Sequence, residues 1–110
     1  MNIEKANKIV AKMTSELEKR LSKSEFKHIK PYATEIAQRH ASRLTWLEEM
    51  AKNKNVEKHQ YERSLLAERD IYQIELGSLA GLSRNKAKKI SKIMSDTLRS
   101  TLFASLAILL

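Results

Sequence analysis

The scarcity of glycine and proline constrains this chain more than any other feature of its sequence. Among 110 residues there are only two glycines and one proline. Tight β-hairpins depend on these residues at defined turn positions, so a fold with many short strands is excluded. The chain length predicts one domain, residues 1–110, with a single core. We therefore expect a small all-α domain.

Apolar residues recur at helical spacing and predict four helices. The stripe of the first helix consists of Ile3, Ala6, Val10, Met13, Leu17 and Leu21. A polar break is expected at Ser22–Lys30. The second helix is expected from Pro31, a residue that suits a first helical turn, to Ala51. A turn follows at Asn53–Asn55.

The third predicted helix, from about Val56 towards Ala80, has two apolar stripes. One consists of Tyr61, Leu65, Tyr72, Leu76 and Leu79, and the other of Val56, Ala67, Ile71 and Ile74. A helix that is apolar on two sides is typically central, so we expect it to have partners on both faces. Gly81 is expected to end it and Ser83 to cap the fourth helix. The buried positions expected in the fourth helix are Ala87, Ile90, Met94 and Leu98.

Basic residues outnumber acidic ones by 21 to 13, and the excess lies at the two ends of the chain. Residues 1–31 carry a net charge of +4, residues 32–80 of −1, and residues 81–110 of +5. A basic excess of this size favours a polyanionic partner, either nucleic acid or an anionic membrane. Composition alone does not choose between them.

The segment 73–91, QIELGSLAGLSRNKAKKIS, resembles the helix-turn-helix of phage repressors, Cro-type proteins and many bacterial regulators. The resemblance assigns the turn and packing positions of that motif to Gly77, Gly81, Leu82, Ser83, Ala87 and Ile90. Gly77 is expected where the two helices cross closely, because a side chain there would push them apart. Gly81 is expected to take the positive φ of the turn, which glycine adopts without strain.

The resemblance implies a small double-stranded DNA-binding regulator that places the helix after Gly81 in the major groove. Arg84 and Asn85 are then placed for base edges, because arginine pairs with guanine and asparagine with adenine through two hydrogen bonds each. The lysines on the same side would contact phosphates. The expected DNA-binding residues are Arg84, Asn85, Lys86, Lys88, Lys89 and Lys92.

The alternative is a helical protein–protein interaction module, such as an assembly factor or inhibitor, whose basic surface meets an acidic protein. The helix before Gly81 separates the two interpretations. A short helix from about Gln73, set at a steep angle to the preceding segment, favours DNA binding. A straight helix from Val56 to Ala80, antiparallel to the next one, favours the interaction module.

The C-terminal segment Leu98–Leu110 is apolar on almost every side of a helix and is expected to be buried. Its almost wholly apolar part, residues 102–110, spans nine residues and is too short to cross a membrane, so we expect no transmembrane span. It either folds back onto the bundle or forms a homodimer interface, which would suit paired DNA half-sites. Contact with a membrane surface is a third alternative.

Enzyme signatures are missing from the sequence, which has no glycine-rich phosphate loop, no Gly-x-Ser-x-Gly turn and no cysteine. We therefore expect no enzyme activity, no cofactor and no metal site. His40 lies on the apolar face of the second predicted helix and is expected to hydrogen-bond a neighbour. Residues 1–13 carry charges throughout and do not form a secretory signal, so a soluble, cytoplasmic protein is expected.

Overall fold

The computed structural model describes residues 3–52 and 57–107, without the side chains of residues 3, 5, 41, 51 and 102–107. Every secondary-structure element in this part of the chain is a helix, which confirms the all-α class. Its elements are α1 (Ile3–Arg20), α2 (Lys23–Arg39), α3 (Ala41–Lys52), α4 (Lys58–Leu79) and α5 (Arg84–Ala107). The expected number of four helices is wrong, because the second predicted helix is two helices. Val56 and the turn expected at Asn53–Asn55 lie outside the described residues.

Helix α2 begins well before Pro31, in the segment expected to be a polar break. Its N-cap is Ser22, whose hydroxyl oxygen accepts a hydrogen bond from the backbone N–H of Glu25 at 3.2 Å. This cap starts the helix at Lys23. Pro31 lies in the helix interior, exposed to solvent, where it removes the backbone hydrogen bond to the carbonyl of Lys27.

The second predicted helix is interrupted at His40, which forms the C-cap of α2. The backbone N–H of His40 bonds the carbonyl of Ile36 at 3.2 Å, and the carbonyl of His40 accepts from Leu44 at 3.2 Å. The His40 ring lies 3.1 Å, measured from Nε2, from the Glu75 carboxylate of α4. The expected hydrogen bond of His40 is therefore confirmed, and it ties the α2–α3 junction to α4.

The central helix is α5, which packs extensively against both α4 and α1. Its expected core positions Ala87, Ile90, Met94 and Leu98 are buried. Ser91, Ser95 and Thr97 are buried as well, and each hydroxyl donates to a backbone carbonyl of the preceding turn, at 3.0, 3.2 and 2.8 Å. Because these hydroxyls are satisfied within the helix, α5 can be enclosed on several sides.

Helix α4 is buried on one side only, which corrects the expectation of two covered faces. Tyr61, Leu65, Tyr72 and Leu76 are in the core. On the other stripe Ala67 is exposed and Ile74 is 70% exposed. The helices in contact with α4, namely α2, α3 and α5, leave this second stripe uncovered.

One carboxylate of α4 lies in the core. Glu68 is 1% exposed, and its Oε2 lies 3.1 Å from Nε of Arg43 on α3. Burial raises the pKa of Glu68, and the positive charge of Arg43 acts in the opposite direction. The ion pair joins α3 to α4, but the desolvation of Glu68 offsets much of its attraction.

The apolar C-terminal segment is described only in part. Leu98 is buried, and the helix continues to Ala107. The side chains of residues 102–107 and all of residues 108–110 lie outside the described part, and with them most of the expected packing or dimer interface at Leu98–Leu110. None of the described helices is apolar over a length sufficient to cross a membrane.

Candidate functional site

The residues expected to bind DNA lie on the exposed side of the first turns of α5. Gly81 has a φ of 64° and turns the chain out of α4, as expected. The backbone N–H of Lys86 donates to Oγ of Ser83 at 3.3 Å, so Ser83 caps α5. The residues turned towards the core are Leu82, Ala87 and Ile90. The exposed residues are Arg84, Asn85, Lys86, Lys88, Lys89 and Lys92.

A second helix start lies at the same end of the molecule. The Ser22 hydroxyl caps α2 and also donates to Oε1 of Glu25 at 3.1 Å. The Ser-x-x-Glu spacing of Ser22 and Glu25 is the sequence pattern of a capping box, and it marks the helix start that the sequence analysis missed. The bond from Ser22 is the main cause that lowers the pKa of Glu25, and the positive charges of Lys89 and Lys86 add to it.

The turn between α1 and α2 meets the turn between α4 and α5. Nε2 of His28, in the second turn of α2, lies 3.3 Å from the carbonyl oxygen of Ala80. Glu25 lies close enough to Lys86 and Lys89 for their charges to act on it. We call the surface formed by residues 19–27 and 84–92 the basic corner.

The basic corner carries a net charge equal to that of the whole chain. Its two segments contain nine basic residues and one acid, Glu25, for a net charge of +8, and the entire chain has +8. All nine basic side chains are exposed. Lys19 and Arg20 are paired with Glu16, at 3.6 and 3.4 Å. The two basic ends of the sequence therefore form one continuous surface in the fold.

A polar groove between α1 and α5 adjoins the basic corner. It has a volume of about 450 Å³ and is lined by residues of both signs and by hydroxyls, namely Lys12, Ser15, Glu16, Lys19, Arg20, Asp96, Thr97, Ser100 and Thr101. The groove shares Lys19 and Arg20 with the basic corner, and Glu16 and Asp96 place negative charge at that edge of the corner.

The structure does not show a helix-turn-helix. Helix α4 is unbroken from Lys58 to Leu79, so no short helix begins near Gln73. Nη2 of Arg99, late in α5, lies 2.5 Å from Oε2 of Glu62, early in α4. Since these two residues are about equally far from the turn at Gly81, α4 and α5 run antiparallel along most of their length.

Gly77 does not mark a close helix crossing, contrary to expectation. A Cβ atom at this position would have one neighbour beyond its own helix within 4 Å, the carbonyl oxygen of Leu82 at 4.0 Å. That distance is ordinary van der Waals contact. A side chain at position 77 would therefore not separate α4 from α5.

Metal-binding side chains are not clustered in the described part of the chain, where no three His, Cys, Asp or Glu residues come together. Comparison of the chain with protein-family models, with curated proteins and with solved structures finds no match.

Proposed function

We propose that this chain is a non-enzymatic helical interaction module that binds an acidic protein partner through the basic corner. The observation that carries the proposal is the concentration of a net charge of +8 in residues 19–27 and 84–92. Exposed lysines in such a number attract carboxylate-rich surfaces and repel basic ones, so they select the partner by charge. Arg84 adds a planar group that can bind a carboxylate through two hydrogen bonds.

The geometry of α4 and α5 favours a protein partner over the DNA-reading mode of the helix-turn-helix. In that motif the second helix projects from a short first helix at a steep angle. Here the first half of α5 lies beside the second half of α4, as an arm of an antiparallel hairpin. The basic residues of α5 lie beside those around the α1–α2 turn on one broad surface rather than on a projecting recognition helix.

Double-stranded DNA is the second candidate, favoured by the two helix starts in the corner. Helices α2 and α5 begin at Lys23 and Arg84, and the N-terminal end of a helix attracts phosphate groups. In this mode Lys86, Lys88, Lys89 and Lys92 would bind the backbone. Arg84 and Asn85 would be the base-reading residues.

One titration separates these candidates. Fluorescence anisotropy is measured with a labelled glutamate peptide of about 20 residues and with a mixed-sequence duplex of about 20 base pairs, from low to physiological salt. Tighter binding of the peptide at physiological salt supports the acidic protein partner. Tighter binding of the duplex, with a log–log salt slope of roughly −4 to −5 for about five phosphate contacts, supports DNA.

The corner is tested with a matched pair of double variants. Lys86→Gln with Lys89→Gln is expected to weaken binding about tenfold at low salt, because two exposed charges facing the ligand are lost. Lys8→Gln with Lys58→Gln removes the same charge in the halves of α1 and α4 that lie away from the basic corner. This double variant should leave the affinity within about twofold. Equal losses in both double variants, or no binding of either probe at low salt, would show that the corner is not the binding surface.

A further inference from the structure

The outward side of α4 is an apolar surface that no described helix covers. Ile74 is 70% exposed and Leu66 49%, and Ala67 is exposed beside them. Ala67, Ile71 and Ile74 follow one another at intervals of four and three residues, which places them on one face of the helix. Apolar side chains gathered on one exposed face mark a contact surface.

Two opposite charges flank the centre of this face. Arg63 and Asp70 are seven residues apart, so they lie on the same side of α4, with Leu66 and Ala67 between them. Both are exposed, and neither forms an ion pair within the part of the chain that the structure describes. We call the residues Arg63, Leu66, Ala67, Asp70, Ile71 and Ile74 the α4 ridge.

The order of the charges along the α4 ridge makes it complementary to itself. When two identical helices pair antiparallel about a twofold axis, the numbers of facing residues have a constant sum. An axis between Leu66 and Ala67 therefore places Arg63 of each copy opposite Asp70 of the other. A parallel pair would instead place Arg63 against Arg63 and Asp70 against Asp70.

We propose that the α4 ridge is a homodimer interface in which the α4 helices of two copies pair antiparallel. Leu66 and Ala67 of both copies are removed from water at the axis, which supplies the attraction, and Ile74 of each copy lies opposite His59 of the other. The small side chain of Ala67 beside the axis lets the helices approach closely. The two Arg63–Asp70 pairs determine orientation and register, as flanking charges do in paired helices. This interface leaves the basic corner free.

Charge reversal tests the interface, with mass measured by sedimentation velocity over a series of protein concentrations. The wild-type chain is expected to approach twice the 12.7 kDa of the monomer as its concentration rises. Arg63→Asp alone places acid against acid twice per dimer, and Asp70→Arg alone places base against base twice. Each single variant is expected to dimerise about tenfold more weakly, because two attractions become two repulsions.

Recombining the reversed charges gives the decisive result. An equimolar mixture of the Arg63→Asp and Asp70→Arg proteins is expected to form a heterodimer as strong as the wild-type dimer, because both facing pairs are again opposite in charge. The double variant with both substitutions is expected to recover the homodimer. Lys8→Asp on α1, an exposed position outside both the basic corner and the α4 ridge, changes the net charge as Arg63→Asp does and should leave dimerisation unchanged.

The remaining outcomes decide against the proposal. A wild-type chain that is still monomeric at about 1 mM overturns it and leaves the α4 ridge to a different protein. Single variants that dimerise like the wild type, or a mixture that fails to recover, overturn the antiparallel pairing. Leu66→Glu, at the axis, should abolish the dimer while circular dichroism shows the helical content unchanged, and a persisting dimer also contradicts the α4 ridge as interface.

Discussion

Gly77 and Gly81 lie four residues apart and respond to a side chain in opposite ways. Gly77 is inside α4, where an added Cβ would meet only the Leu82 carbonyl oxygen at 4.0 Å, whereas Gly81 has a φ of 64°. We expect Gly77→Ala to raise the free energy of unfolding by about 0.5–1 kcal/mol, because glycine loses more backbone entropy in a helix than alanine does. Gly81→Ala should lower it by about 1–2 kcal/mol, since the left-handed conformation strains a Cβ.

Urea unfolding followed by circular dichroism compares the two glycine variants directly. The pair controls itself, because each variant adds the same methyl group to the same hairpin. A loss of stability in Gly77→Ala would mean that α4 and α5 approach each other at this point, as the helix-turn-helix resemblance implies. A stable Gly81→Ala protein would mean that the turn readily adopts another conformation.

Glu68 makes the stability of the protein depend on pH. Burial raises its pKa in the folded state, so the folded protein holds this proton more tightly than the unfolded chain does. The contribution of Glu68 to the free energy of unfolding therefore falls as the pH rises above 4.5, the ordinary pKa of a glutamate. Glu68→Gln should flatten that decline and leave the protein at least as stable as the wild type at pH 7, because Arg43 is 44% exposed and stays hydrated.

Urea unfolding across a pH series tests this prediction. Glu49→Gln, an exposed change on α3, is the control and should shift stability by less than about 0.5 kcal/mol at every pH. Parallel profiles for the wild type and Glu68→Gln would contradict the burial of a titrating carboxylate at this position.

Single residues show where sequence patterns are informative. The apolar stripes of α1 and α5 are predicted because a leucine or isoleucine at helical spacing is buried for the simple reason that it is apolar. Ser91, Ser95 and Thr97 are not predicted to be buried, since their hydroxyls are polar. Only the structure shows that each hydroxyl bonds a carbonyl of its own helix and so enters the core without another partner.

At the scale of the helix, α2 contains its own weak point. Pro31 removes one backbone hydrogen bond from the middle of an otherwise regular helix. We expect Pro31→Ala to raise the free energy of unfolding by about 2 kcal/mol, because alanine restores the bond and suits a helix interior. Thermal or urea unfolding measures the gain, and Gln38→Ala on the exposed side of α2 is the control, with an expected change below about 0.5 kcal/mol.

A loss of stability in Pro31→Ala would show that the proline holds α2 in the backbone geometry that lets it pack against α1.

The position of Pro31 also explains why the start of α2 was predicted too late in the sequence. Proline favours the first turn of a helix, but Ser22, nine residues upstream of Pro31, caps the backbone N–H of Glu25 and determines the start. The local cap therefore outweighs the preference of a single proline.

The break at His40 was beyond prediction for a different reason. No glycine or proline occurs between Tyr32 and Lys52, and the apolar spacing continues across the junction. At this junction the His40 ring contacts Glu75 of α4, a residue 35 positions later in the sequence. No local sequence pattern predicts a contact between residues so far apart in the chain.

At the scale of the molecule, the sequence predicts the charge of the basic corner but not its shape. The excess of charge in residues 1–31 and 81–110 is a matter of counting. That residues 19–27 and 84–92 form one surface depends on how α1, α2, α4 and α5 pack, as the contact of His28 with Ala80 shows. The sequence therefore predicts the two basic segments of the candidate site, but it does not predict that they lie side by side.

The position of the basic corner gives the molecule a large electric dipole moment. The described part measures 42 × 24 × 21 Å, and the corner lies at the end of the α4–α5 hairpin where Gly81 turns the chain. A negatively charged partner therefore orients the molecule before contact, with the basic corner towards the partner. The association rate constant should fall steeply once salt shortens the screening length to about 8 Å. In an antiparallel pair of α4 helices the two dipoles cancel, and the result is a rod that is positive at both tips.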